Sequence, residues 1–138
     1  MTDSTSSANA AELTDDEMHD LGNRLVAAIV AGDADAVRAI YAPDARIWHN
    51  FDQREQDVDE NLRTLVDLHG RATGLRYTEI RRFTSPGGFV QQHVLVGTAP
   101  AGPLQMPAMI RFWVNDGRIT RLEEYLDTRQ AMVLYASA

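Results

Sequence analysis

The sequence predicts one α+β domain in which three N-terminal helices gather on one face of a curved antiparallel sheet. Apolar residues recur at helical spacing as far as Gly70, whereas from Leu75 onward four strand-like runs alternate with turn sequences. The chain has 138 residues and is 44% hydrophobic, enough for one buried core and too little for two.

The first thirteen residues, MTDSTSSANAAEL, are small and polar, with neither a basic nor an apolar segment. They read as a disordered tail and not as a secretory signal, which leaves residues 14–138 as the domain. Thr14 and Glu17 have the spacing of a capping box, so a helix starts there. Met18, Leu21, Leu25 and Ile29 give it one apolar stripe, and Gly32 suits its left-handed end. Asp33 caps a second, short helix that buries Val37, Ile40 and Tyr41 and ends by Pro43. A short strand is expected between Ala45 and Phe51, running into a loop. A third helix follows, with Asp57 and Glu60 at capping spacing, Val58, Leu62, Leu65 and His69 on one face, and Gly70 as its stop.

The strand runs are LRYTEIRRFT, FVQQHVLVGT, LQMPAMIRFWVN and RITRLEEYLD, separated by SPGG, APAG and DG. Asp116 and Gly117 suit the positive φ angles of a two-residue hairpin turn. Asp127 reads as the cap of a C-terminal helical segment, Thr128 to Tyr135. Curvature of such a sheet over its helices leaves a hollow between the layers, the natural place for a small ligand.

Charge narrows the partners. Thirteen basic side chains, all arginine, face 20 acidic ones, for a net charge of -7 and a pI near 4.9. Such a field repels nucleic-acid backbones and anionic lipid surfaces. No run is apolar and long enough to span a membrane, so the expected setting is the cytoplasm. The absence of cysteine excludes disulfides, thiolate nucleophiles and thiolate metal sites. Histidines occur without HxH, HxxxH or HxxE spacing, there is no nucleophile elbow, and SPGG is a hairpin turn and not a phosphate loop. No metal and no cofactor is therefore expected.

The segments AGDADAVRAIYAPDARIWHN (Ala31 to Asn50), QQHVLVGT (Gln91 to Thr98) and DGRITRLEEYLD (Asp116 to Asp127), in this order among helices and hairpins, resemble the nuclear transport factor 2-like superfamily. Within it, they are most similar to the SnoaL-like polyketide cyclase branch. The resemblance covers roughly residues 15 to 130 and implies a cone-shaped α+β barrel around a small-molecule pocket. It implies no single activity, because the fold hosts isomerases, cyclases, epoxide hydrolases, dehydratases and non-catalytic binding proteins. Ketosteroid isomerases of this fold carry their base five residues after the aspartate corresponding to Asp44, which here is His49. Their tyrosine donor would fall at Leu25 and their protonated aspartate near Met109 or Arg111, so the resemblance argues against steroid isomerisation. The catalytic aspartate of limonene-epoxide hydrolases corresponds to Glu124, before Tyr125.

Pairing across Asp116-Gly117 without irregularity sets Trp113 opposite Thr120, Arg111 opposite Leu122 and Met109 opposite Glu124. These six residues then share one face, and Ile110, Phe112, Val114, Ile119 and Tyr125 share the other. Periodicity does not choose between the faces; the resemblance chooses the one with Arg111 and Glu124. In the preceding strand Phe89, Gln91, His93 and Leu95 alternate with Val90, Gln92, Val94 and Val96. The expected catalytic set is His49, His93, Glu124 and Arg111, with Trp48, Gln91, Met109, Trp113 and Leu122 as substrate-binding walls. In this reading a histidine moves the proton, Glu124 is the second acid-base group and Arg111 holds the developing oxyanion.

Plainer roles compete. His49 could be a strand end facing water, His93 a structural hydrogen-bonding residue, and Arg111 and Glu124 a pair that merely neutralise each other. His19 and His69 are assigned to the surface or to helix packing. The function expected is a cofactor-independent acid-base enzyme (cyclase, dehydratase or isomerase) acting on a small hydrophobic, oxygenated substrate. The alternative is a non-catalytic ligand-binding or dimerisation module of the same fold. The apolar face turned away from the pocket calls for a cover, and a homodimer formed sheet against sheet is the simplest.

Overall fold

The computed structural model describes residues 12–138. The tail expected over residues 1–13 thus lies, apart from Glu12 and Leu13, outside the described residues. Leu13 packs against the core, so the apolar contact begins two residues before the first helical residue.

Helix α1 spans Asp15–Ala31, opened by the reciprocal Thr14 and Glu17 capping box and closed by Gly32 at φ 68°. Helix α2, Ala34–Ile40, is capped by the Asp33 side chain, and α3, Val58–Arg71, by a second capping box between Asp57 and Glu60. The third helix runs one residue past Gly70, which is itself helical and has open space around it.

Six strands form one sheet in the order β2-β1-β6-β5-β4-β3. They are β1 (Tyr41–His49), β2 (Arg54–Gln56), β3 (Thr73–Ser85), β4 (Gly88–Ala99), β5 (Gly102–Asn115) and β6 (Arg118–Leu126). Strand β1 starts at Tyr41, earlier than expected. Pro43 is tolerated because regular pairing with β6 lapses between Tyr41 and Arg46, where no ladder donor is required. Strand β2 is an unexpected three-residue edge, antiparallel to β1. The β1–β6 pair is parallel and the remaining pairs are antiparallel. A short helix α4, Thr128–Ala131, capped by Asp127, continues into a single 3₁₀ turn at Met132–Leu134.

Two β-bulges decide which side chains face the helices. In the β5–β6 hairpin, Val114 pairs with Ile119 but Trp113 pairs with Arg121, leaving Thr120 as an extra residue. Beyond this point the register is shifted by one, so Glu124 lies opposite Ile110 and Leu122 opposite Phe112. The unbulged register, which would set Glu124 opposite Met109 and Leu122 opposite Arg111, is thereby corrected. In β3, Thr78 pairs with Val94 and Arg81 with Gln92, so Glu79 and Ile80 together oppose His93, with Glu79 at φ 53°. Tyr77 and Arg82 consequently point to the same side of the sheet although five residues apart.

The inner face carries Phe89, Leu95, Leu104, Met106, Ile110, Phe112 and Leu122, all buried. One apolar cluster joins α1 and α2 to Phe89, Phe112 and Ile119, and a second joins Leu75, Leu95 and Leu104 to the C-terminal turn. Between the two clusters the layers do not close completely.

Candidate active site

The gap is a cavity of about 230 Å³ bounded by α1, α3, the inner face of the sheet and the C-terminal turn. That is smaller than the roughly 300–1,000 Å³ of pockets for drug-sized ligands. Its apolar wall includes Leu25, Ile47, Leu95, Met106, Ile110 and Leu122. Phe51 and Tyr135, both substantially exposed, also line it and stack on each other with ring centroids 6.1 Å apart, which places them at the rim.

His49 and Glu124 enter this cavity side by side. They are paired positions of β1 and β6, and the imidazole Nε2 lies 3.2 Å from a Glu124 carboxylate oxygen. The next residue holds the strand ends together. Asn50 donates its backbone N–H to the Glu124 carbonyl, and its side-chain amide both donates to the Leu126 carbonyl and accepts from the Leu126 N–H. Burial alone would lower the His49 pKa. The hydrogen bond and charge of Glu124, with a smaller effect of Asp52, outweigh it and raise the imidazole above its ordinary value.

His93 behaves oppositely. It sits on the inner face of β4, 3% exposed, with the Tyr77 ring edge-on at 4.6 Å. Burial pushes its pKa below the ordinary value; the charge of Glu124 opposes this, and that of Arg82 reinforces it. Gln91, 2% exposed, bonds its amide nitrogen to His93 Nδ1 at 3.0 Å. Its amide oxygen accepts from Arg82 Nε and Nη2 at 3.0 and 2.7 Å.

Between the β1–β2 edge of the sheet and α3, Tyr41 donates to Asn61, Asn61 to Gln56 and Gln56 to Thr64, and all four side chains border the cavity. Burial, with the charge of Glu124 acting in the same sense, pushes the Tyr41 hydroxyl up, so it stays a neutral phenol. Tyr77 is likewise held neutral by burial.

Of the residues expected at the site, His49, Glu124 and Leu122 therefore line the cavity, while His93 and Gln91 are buried on the inner face of β4 beside it without lining it. Arg111, Met109, Trp113 and Trp48 do not join them. The Thr120 bulge separates Arg111 from Glu124 onto opposite faces, and the Arg111 guanidinium lies 4.4 Å above the Trp113 ring on the outer side. Met109 is 41% exposed there, and Trp48 packs on the exposed ring of Tyr125. Sequence reasoning missed Arg82, Tyr41, Asn61, Gln56 and Thr64. The polar stretch following Asp57 carried no local signal for a cavity wall, and Arg82 reaches the inner side only through the β3 bulge. Among the described residues no three His, Cys, Asp or Glu side chains converge as a metal-binding group. Nor is any described helix long and apolar enough to cross a membrane.

A sheet wrapped on three helices around a largely apolar cavity is the nuclear transport factor 2-like fold, and the comparisons with solved structures show the same. PrhC from Penicillium brasilianum aligns with a TM-score of 0.77 at 12% identity, over 86% of this chain and 85% of that one. A candidate polyketide cyclase from Xanthomonas campestris pv. campestris aligns at 0.75 and 18% identity, over 88% and 98%. A candidate isomerase from Bacillus subtilis aligns at 0.76 and 11% identity, over 89% and 95%. At these identities the likeness is one of fold. Residues 23–122 match the SnoaL-like domain, and the chain belongs to that family. No curated protein matches the sequence.

Proposed function

We propose that the protein is a cofactor-independent acid-base enzyme that shifts a proton on a small, hydrophobic, oxygenated substrate, in a cyclisation, dehydration or isomerisation. The observation that carries this reading is the His49–Glu124 pair inside the cavity, with the His49 pKa pushed upward, while His93, buried on the same inner face against the cavity-lining Tyr77 ring, is pushed downward. Environments that separate two titratable groups in this way assign one as proton carrier and keep the other neutral. The His49–Glu124 pair removes a proton from carbon adjacent to a carbonyl, the electron pair moves to the carbonyl oxygen, and the same pair returns the proton to the new position. The apolar wall binds the hydrocarbon body and the cavity volume keeps the substrate small. The candidate polyketide cyclase and candidate isomerase sharing the fold are consistent with this chemistry.

The test is to offer the purified protein a panel of cyclic ketones and polyketide-like aromatics, following exchange of the α-proton for deuterium. Exchange or conversion that is lost in Glu124→Gln supports the enzyme. Tight binding without exchange would make the protein a ligand-binding module instead. The outer face of the sheet, with Phe83, Met109 and Tyr125 exposed, is proposed to be covered by a second copy of the chain. A cytoplasmic setting belongs to the same reading, suited to the lack of cysteine and the acidic charge.

A further inference from the structure

Arg82, Gln91 and His93 form a chain of hydrogen bonds with only one consistent assignment of protons. A guanidinium has donors and no acceptor. Two of its N–H groups converge on Gln91 from β3, at 2.7 and 3.0 Å, so the atom they meet must be the amide oxygen. Turning the amide over would set N–H against N–H in a buried place. The Gln91 NH₂ is therefore the group that faces His93 Nδ1, and Nδ1 must offer its lone pair. A neutral imidazole with Nδ1 unprotonated carries its hydrogen on Nε2.

The anchoring of Arg82 makes this assignment rigid. Its Nη1 donates to the His19 carbonyl at 3.0 Å and to Asn23 Oδ1 at 2.9 Å, both on α1. Gly22, between these two, leaves the room: a Cβ there would stand 2.5 Å from Arg82 Nε. Among the described residues His93 Nε2 has no hydrogen-bond partner, yet no buried side-chain nitrogen or oxygen is left unpartnered. Nε2 therefore keeps a trace of exposed surface, and although His93 does not itself line the His49 cavity, its ring meets that of Tyr77, which does. The neighbours of His93 across the ladder and along β4 are Ala108 and Leu95, flanked by the cavity residues Met106 and Ile110.

We infer that Arg82 and Gln91 are positioning residues that lock His93 as a neutral imidazole with its proton on Nε2, where it donates a hydrogen bond to the substrate's carbonyl or enolate oxygen. This gives the developing negative charge a fixed donor in the place that Arg111 does not occupy. It rests on reading the cavity as an acid-base site. The charged and titratable groups facing His93 are Arg82 and Tyr77 from β3 and Glu124 from β6.

The test uses the full chain labelled with ¹⁵N-histidine and long-range ¹H–¹⁵N spectra recorded from about pH 5.5 to 8, spanning the ordinary imidazole range. The His93 signals are assigned by their loss in His93→Gln. The expected result is that neutral His93 carries its proton on Nε2. In Gln91→Glu the carboxylate accepts from Arg82 and from His93 Nδ1–H together. The proton then appears on Nδ1, and the His93 titration midpoint rises by about one pH unit or more. A wild-type His93 carrying its proton on Nδ1, or a tautomer unchanged in Gln91→Glu, would overturn the lock. The donor role is read with 2-naphthol, whose phenolic oxygen mimics an enolate. In wild type it shifts the His93 Nε2 resonance, and Gln91→Glu weakens its binding about tenfold or more. Naphthol that leaves His93 unshifted would overturn the donor role. If the tautomer and the naphthol shift are both as expected while every ketone remains untouched, the proposed reaction fails and the lock stands.

Discussion

Nε2 of His49 lies 3.2 Å from a carboxylate oxygen of Glu124, and the two side chains are only 19% and 14% exposed. Parallel pairing of β1 with β6 sets them at the same level, and the Asn50 amide fastens both strands just beyond them. The pair is thus fixed by backbone geometry and not by the chance meeting of two flexible chains.

The first prediction concerns protonation. Because Glu124 holds the folded-state pKa of His49 above its unfolded value, the pair stabilises the fold fully only below about pH 6.5, the ordinary imidazole value. That contribution is lost as pH rises through the folded-state pKa. An NMR titration should place the His49 midpoint above that of a free imidazole. In Glu124→Gln the charge is gone while burial, which lowers the pKa, remains, so the midpoint should fall below the wild-type value. Urea midpoints of wild type and Glu124→Gln should accordingly differ more near pH 6 than near pH 9.

Turnover gives the second prediction. On any substrate that the panel identifies, Glu124→Gln and His49→Gln should each lower kcat about 10²–10⁴-fold, the usual contribution of a positioned acid-base group. Arg111→Ala should leave kcat unchanged, since its guanidinium stacks on Trp113 outside the cavity. A large loss of kcat in Arg111→Ala, with the fold intact, would contradict the assignment of faces.

These faces mark the limit of what the sequence discloses. The caps at Thr14, Asp33, Asp57 and Asp127 and the Asp116-Gly117 turn are legible because each rests on a few neighbouring residues with one strong local preference. The family resemblance is what singles out His49, His93 and Glu124, of which His49 and Glu124 line the cavity. The two bulges are not legible, since an extra residue at Thr120 or at Glu79–Ile80 leaves no compositional trace. Side chains alternate with a period of two, so one insertion reverses every residue beyond it. For that reason Glu124 and Leu122 face inward with Ile110 and Phe112 and not with Arg111. Arg82, which simple alternation with Tyr77 would turn outward, anchors the inner wall instead.

A third prediction separates two helical glycines. Alanine in place of a helix-interior glycine ordinarily stabilises by about 0.5–1 kcal/mol. Gly70 has no atom within 4 Å of where a Cβ would sit, so Gly70→Ala should show this gain as a higher urea midpoint. Gly22→Ala should fail to show it. The new methyl group would press on an Arg82 side chain held by Gln91, the His19 carbonyl and Asn23, and that network would have to give way.

The outer face of the sheet supports the last prediction. Phe83 is 58% exposed and Tyr125 55% exposed, and Met109, Trp48 and Trp113 lie on the same side. Large apolar side chains gathered on one face of a sheet are unfavourable in water and commonly mark a contact surface. Among the charged groups on this face, Arg121 is engaged with Glu55 and Glu123, and Arg111 lies on the Trp113 ring. A second copy presenting the same face in a two-fold arrangement would cover both at once. Sedimentation at micromolar concentration should then find a dimer, and Phe83→Glu together with Tyr125→Glu should convert it to a monomer while the cavity keeps its His49 titration. A wild-type monomer at that concentration would refute the pairing of sheets. Loss of the His49 signature along with the dimer would instead show that the cavity depends on the contact behind it.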